Sequence, residues 1–130
     1  MSRITVVNDN PEFLELVGEI LTDERHVVTL VDGDGADALA RVKESRPELL
    51  LIDLRMGGDE LHGWHMALQV RADADLAAVP VLVCSADVRA MTTIGEKLET
   101  TRLVALLQKP FSIDDLTAKI DELLAAAAAA

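Results

Sequence analysis

The sequence predicts a three-layer α/β domain, a five-stranded parallel sheet with helices on both faces. Two observations carry this. Five short aliphatic runs, each too short for a typical helix, alternate along the chain with segments of helical period. Strict alternation of this kind implies right-handed crossovers, and hence parallel strands buried on both faces.

The strands are expected at residues 4–7, 27–31, 49–52, 81–83 and 103–107. The first helix follows Asn10-Pro11, an N-cap ahead of a proline at the first helical position, and carries Phe13, Leu16, Val17 and Ile20 on one face. In the second, Ala36, Leu39 and Ala40 share a face before Pro47; the third begins after Gly63 with Trp64, Ala67 and Leu68. A fourth is expected over 88–98. Ser112 and Asp115 resemble a capping box ahead of Leu116, Ile120 and Leu123, with Asp in place of the usual Glu. Residues 1–124 read as one domain without linker or repeat. The six alanines at 125–130 read as a helix extension, a linker or an artificial appendage that carries no chemistry.

Composition narrows the function. The chain has 130 residues, half of them apolar, enough for one buried core. A formal net charge of -11 argues against direct binding to nucleic acid or to an anionic membrane, and favours proteins or cations as partners. The single cysteine, Cys84, excludes an internal disulfide framework and reads as a small core residue. The N-terminus has no apolar run of signal-peptide or membrane-spanning length, so a cytoplasmic address is expected.

The polar residues fall where the strands end. Asn8 and Asp9 close the first run, Asp53 the third, Ser85 follows the fourth and Lys109 the fifth. The carboxyl ends of parallel strands share one edge, and ligands bind at the crevice where strand order reverses. In the order 2-1-3-4-5 that crevice lies between strands one and three, so Asp9 and Asp53 would face each other across it. Two carboxylates with an amide and waters suit Mg²⁺, which prefers few carboxylates plus a phosphate oxygen. A carboxylate is also a nucleophile toward phosphorus, provided the charge on the transferring group is neutralised. Mg²⁺, the Lys109 ammonium and the Ser85 hydroxyl could each take one phosphoryl oxygen.

Four stretches, in order and at suitable spacing, resemble the response regulator receiver domains of two-component signalling: "VVNDNP" at 6–11, "RPELLLIDLRM" at 46–56, "VLVCSA" at 81–86 and "QKPF" at 108–111. The resemblance covers essentially the whole chain. It implies the flavodoxin-like three-layer sandwich with strand order 2-1-3-4-5, with Asp53 as phosphoacceptor and Asp9, Asp53 and the backbone carbonyl of Arg55 as Mg²⁺ ligands. It further implies Ser85 and Lys109 as phosphoryl-binding residues, a cis Lys109-Pro110 bond, and open access at Ala86. The implied donor is a sensor histidine kinase or histidine phosphotransfer protein, and the implied recipient of the signal a downstream protein target or output domain. A second copy of the chain, forming a homodimer, is another candidate partner. The chemistry is limited to self-phosphorylation from a donor and autodephosphorylation.

The sequence departs from the family pattern at several positions. Asn8 replaces the first acid of the usual pair, leaving an indirect ligand with one charge fewer and implying weaker Mg²⁺ binding. "GGDELHG" after Met56 is about two residues longer than usual. Leu106 stands where an aromatic usually switches, so any signal must travel through Ser85 and the following loop. Arg55 and Asp87, two residues after Asp53 and Ser85, read either as a pair across the mouth of the site that slows water attack on the acyl phosphate or as two unrelated solvated loop charges, since exposed pairs contribute only about 0–1 kcal/mol.

Other readings of the residues stay open. Gly33-x-Gly35-x-x-Ala38 between a strand and a helix, with Asp53 further on, is the pattern of a dinucleotide-binding domain, although Asp32, Asp34 and Asp37 would oppose a pyrophosphate. A flavin module would need a hydroxyl-rich loop where the chain has Asn8-Asp9-Asn10. A receiver-like interaction module independent of phosphorylation is motivated by Asn8, the longer loop and Leu106. Asp59, Glu60, His62 and His65 read more readily as solvated groups than as a metal cluster.

Overall fold

The computed structural model describes residues 2–56, 61–98, 101 and 103–129. Its elements run β1 (Arg3–Asn8), α1 (Pro11–Asp23), β2 (Val27–Asp32), α2 (Ala38–Ser45), β3 (Leu49–Asp53), α3 (His62–Ala72), β4 (Val81–Ser85), α4 (Val88–Leu98), β5 (Val104–Gln108) and α5 (Ile113–Ala129). The strands form one parallel sheet in the order β2-β1-β3-β4-β5. Fold class and strand order are those the sequence predicts.

Side chains on a strand alternate between its faces, so each aliphatic run feeds two cores at once. Val7, Leu50, Ile52, Val81 and Val83 pack with Val42, Trp64, Val70 and Ile94 on the side of α2, α3 and α4. Ile4, Val6, Leu49, Leu51, Leu82 and Cys84 pack with Val17, Leu21, Leu116 and Ile120 on the side of α1 and α5. All are essentially inaccessible to solvent, and each large aliphatic side chain so buried contributes about 1.5–3 kcal/mol.

Local chemistry sets the helix starts. Asn10 Oδ1 accepts from the backbone N–H of Glu12 (2.9 Å) and Phe13 (3.4 Å), with Pro11 in the first turn, as expected. Ser112 and Asp115 cap α5 reciprocally: Asp115 N–H donates to Ser112 Oγ at 3.0 Å, and Ser112 N–H to Asp115 Oδ2 at 3.3 Å. The alanines at 125–129 continue α5. Arg71 ties the end of α3 to the segment before β4, donating to the carbonyls of Ala77 (2.6 Å) and Val79 (2.7 Å).

Two helix faces differ from the sequence expectation. Leu16 and Leu68 are exposed rather than packed. In the second helix, Ala36 lies ahead of the first turn and Ala40 is exposed, while Ala38 and Val42 are the buried pair. Among the described residues, no helix is long and apolar enough to cross a membrane.

Candidate functional site

The edge formed by the carboxyl ends of the strands opens into a cleft of about 540 Å³. It is lined by Asn8, Asp9, Asn10, Phe13, Asp53, Arg55, Ser85, Ala86, Asp87 and Lys109. Every site residue predicted from sequence is therefore brought together except Leu106, which lies partly buried on β5 against the α2–α4 core.

Strand alternation explains who meets whom. Asp53 continues the phase of Leu49 and Leu51, and Lys109 that of Ala105 and Leu107, so both turn toward α1 and α5. There the Lys109 Nζ donates to Asp53 Oδ1 at 2.6 Å and lies 4.2 Å from the centroid of the Phe13 ring. Ser85 continues the phase of Val81 and Val83 and turns toward α4. Its Oγ accepts the Asp87 N–H at 2.9 Å. Asp87 in turn caps α4, Oδ1 accepting from Ala90 N–H at 3.0 Å, while its Oδ2 stands 3.8 Å from Arg55 Nη2. Of the two readings of Arg55 and Asp87, the pair is thus the one present.

The backbone holds this arrangement still. Leu54 N–H donates to the Cys84 carbonyl (2.8 Å), Gly63 N–H to the Leu54 carbonyl (2.8 Å), and Lys109 N–H to the Ser85 carbonyl (2.8 Å). Leu54 and Met56 are fully buried and anchor the turn after β3, which leaves Arg55 at the cleft. The Lys109-Pro110 peptide is cis.

Burial pushes the Asp53 carboxyl above the usual carboxylate range; the hydrogen bond and charge of Lys109 oppose the shift, and the Asp9 charge adds to it. Two carboxylates that feel each other, opposite an ammonium, form a hard-oxygen donor set. Asn8 is buried, its Oδ1 accepting from Asn10 N–H at 2.8 Å and its Nδ2 without a hydrogen-bond partner. An amide N–H does not ligate a cation, so Asn8 fits a supporting role and not that of a ligand. Among the described residues, no group of three or more histidine, cysteine or acidic side chains could hold a metal. The donor chemistry fits an ion content with few protein ligands, as Mg²⁺ is, and not a closed transition-metal site.

The remaining described sequence candidates are not among the residues that line the cleft. Cys84 is buried among aliphatic side chains, and burial pushes its thiol up to about 12, which leaves it inert at neutral pH. Gly33 faces Val7 and Met56 in the core, so the glycine pattern serves packing at the end of β2. Of the candidate metal cluster, Asp59 and Glu60 lie outside the described residues, and His62 and His65 sit in the first turn of α3. Phe13 is the site residue that sequence reasoning assigned only to a helix face. The available signal was its position: an aromatic three residues after the Asn10 cap, in a chain with two phenylalanines, one tryptophan and no tyrosine.

Fold and cleft together define an α/β domain with an acidic oxygen site and a lysine clamp at the carboxyl edge of its sheet. The family model for the response regulator receiver domain matches residues 4–121, and the chain belongs to that family, the receiver module of two-component signalling. The chain is 32% identical over 126 residues to the DNA-binding response regulator MtrA of Mycolicibacterium smegmatis, covering 91% of this chain and 48% of MtrA. It is 27% identical over 125 residues to protein PilH of Pseudomonas aeruginosa, covering 96% and 99% of the two chains. The chain spans about half the length of MtrA and much smaller shares of the histidine kinases it matches. Among solved structures, the receiver domain of a sensor histidine kinase from Pseudomonas aeruginosa PAO1, which has a magnesium ion coordinated in its active-site cleft, superposes with a TM-score of 0.77 at 24% identity. That match covers 95% of this chain and 98% of the other. Family membership displaces the dinucleotide- and flavin-binding readings.

Proposed function

We propose that Asp53 is the phosphoacceptor of this receiver domain and that Lys109 and Ser85 bind the phosphoryl group it receives. The single observation that carries this is the 2.6 Å contact between Lys109 Nζ and Asp53 Oδ1 at the floor of a cleft open to solvent. In the proposed reaction a carboxylate oxygen of Asp53 attacks the phosphorus of a phosphohistidine. The P–O bond forms as the P–N bond breaks, and the electron pair departs with the imidazole. Water later attacks the same phosphorus, releasing inorganic phosphate and regenerating the carboxylate. This donor-driven phosphorylation and its reversal are the whole of the chemistry proposed.

Asp9, Asp53 and the Arg55 carbonyl are the groups that would hold Mg²⁺, which would supply neutralisation of phosphoryl charge. Lys109 already sits on Asp53 and would take a phosphoryl oxygen as it arrives. The Ser85 hydroxyl accepts from Asp87 N–H and keeps its own proton to donate. Exposed Ala86 leaves the approach unobstructed. The donor is a sensor histidine kinase or a histidine phosphotransfer protein, the recipient of the signal a protein target or output domain, and the setting the cytoplasm.

The test is intact mass after incubation with acetyl phosphate and Mg²⁺, run beside Asp53→Ala. One phosphoryl adduct in the parent and none in the variant is the expected result. No adduct in the parent would transfer the reading to a phosphorylation-independent interaction module, for which the uncharged Asn8 and the non-aromatic Leu106 speak.

A further inference from the structure

We infer that Phe13 is a positioning residue for Lys109, its ring holding the ammonium in the orientation that serves Asp53. The inference rests on the reading of Asp53 as phosphoacceptor and goes beyond it, because nothing in that reading requires an aromatic at position 13.

A lysine ammonium is a point charge on a four-carbon stem, with three N–H donors and no preferred direction. One hydrogen bond to Asp53 Oδ1 tethers it but does not orient it. The ring supplies a second point of attachment: Nζ stands 4.2 Å from the Phe13 centroid, where the negative face of the π system attracts a cation. The backbone adds a constraint of its own, since the Lys109 main-chain N–H donates to the Ser85 carbonyl at 2.8 Å and fixes where the side chain begins. With one N–H directed to Asp53 and one face of the ammonium on the ring, a remaining donor is left for an incoming phosphoryl oxygen.

The ring is itself fixed. Phe13 is the third residue of α1, its backbone N–H is part of the Asn10 cap, and its side chain packs against the α1–α5 core. The capped start of α1 therefore determines where the ring stands, and the ring determines where the charge stands. The Lys109 side chain is about one-quarter exposed, so without the ring the ammonium could turn away into water.

Three variants test this. Phe13→Leu keeps an apolar side chain of similar bulk and removes the π face, Phe13→Tyr keeps the face, and Phe13→Ala serves as a folding control. The first readout is NMR of the unphosphorylated protein: the Lys109 ε-methylene protons should be shifted upfield by the ring in the parent and Phe13→Tyr, and should return to ordinary lysine values in Phe13→Leu. The second is the initial rate of phosphorylation by acetyl phosphate at saturating Mg²⁺. A cation–π contact at a partly exposed site predicts about a two- to fivefold loss in Phe13→Leu, restored in Phe13→Tyr.

An ordinary Lys109 shift in the parent overturns the inference outright. So does an unchanged rate in Phe13→Leu once the ring shift has been lost, because the contact would then be present without consequence. If the parent accepts no phosphoryl group, the reading of Asp53 fails instead. The NMR comparison then still decides whether Phe13 orients Lys109.

Discussion

A carboxylate at the end of a buried strand is costly to keep charged, and Asp53 bears that cost. Burial raises its pKa above the unfolded value, Lys109 offsets only part of the shift, and Asp9 adds to it. The sign follows: the folded state binds this proton more tightly than the unfolded one, so between the ordinary carboxylate pKa and the raised folded value, stability falls as pH rises. At pH 7 the charged group is therefore a net destabiliser in the metal-free protein. Asp53→Asn, which keeps an acceptor for Lys109, should raise the denaturation midpoint at pH 7 with a chelator present. The difference should shrink as pH is lowered toward 4. Thermal or urea unfolding of both proteins across that range reads this directly, and a less stable Asp53→Asn at pH 7 would mean that Lys109 more than repays the burial. Asp9, Asp53, Ser85 and Lys109 were legible in the sequence because each terminates an aliphatic run, and strand ends can be located from such runs alone. The contact of Phe13 was not: its place after the Asn10 cap put an aromatic near the strand ends, but whether it meets Lys109 depends on how α1 lies against the sheet.

The strands were legible to within about a residue or two, since short aliphatic runs between polar residues have few alternatives, whereas the phases of the helices were less so. Leu16 is spaced correctly for the buried stripe of α1 and yet lies exposed at its edge, and α2 begins two residues later than Ala36 suggested. Periodicity gives the spacing of a stripe, but its width is set by what the helix packs on. Two glycines show the same dependence on packing. At Gly18, inside α1, an added Cβ would meet the Leu30 methyls at 3.4–3.5 Å, an ordinary contact. At Gly63, at the start of α3, it would run into the Asp53 carbonyl and the Leu54 Cα. Gly18→Ala should therefore stabilise the domain by about 0.5–1 kcal/mol through backbone entropy and helix propensity. Gly63→Ala should destabilise it by about 1–3 kcal/mol, the cost of overpacking, and lower phosphorylation at Asp53 by displacing its backbone. Urea denaturation of the two variants checks the opposite signs, and equal effects would refute the packing distinction.

Over the whole molecule, 23 acidic residues outnumber 12 lysines and arginines. The proposed acyl phosphate at Asp53 would add further negative charge to a chain already at -11, in a cleft whose described lining holds three carboxylates, Asp9, Asp53 and Asp87, and two cations, Lys109 and Arg55. Lys109 is committed to Asp53. Arg55 stands at the mouth, its guanidinium half-exposed and 3.8 Å from Asp87, which at the same time caps α4 and donates its N–H to Ser85. The pair thus bridges the loops after β3 and β4 at the cleft, where we propose that it slows the approach of water to an acyl phosphate at Asp53. With Leu106 in place of an aromatic on β5, this same bridge also links the loop after β3, the strand that carries the proposed phosphoacceptor, to the start of α4. An exposed pair at that distance contributes only about 0–1 kcal/mol, so Arg55→Ala should leave the unfolding midpoint nearly unchanged. Its effect should be kinetic: after donor removal, the phosphoryl adduct should disappear several times faster in Arg55→Ala than in the parent, as followed by intact mass over time. Equal decay would mean that the two side chains are solvated neighbours with no hold on water. Faster decay without loss of stability would place control of the signal's lifetime in two loop residues that contribute nothing to the core.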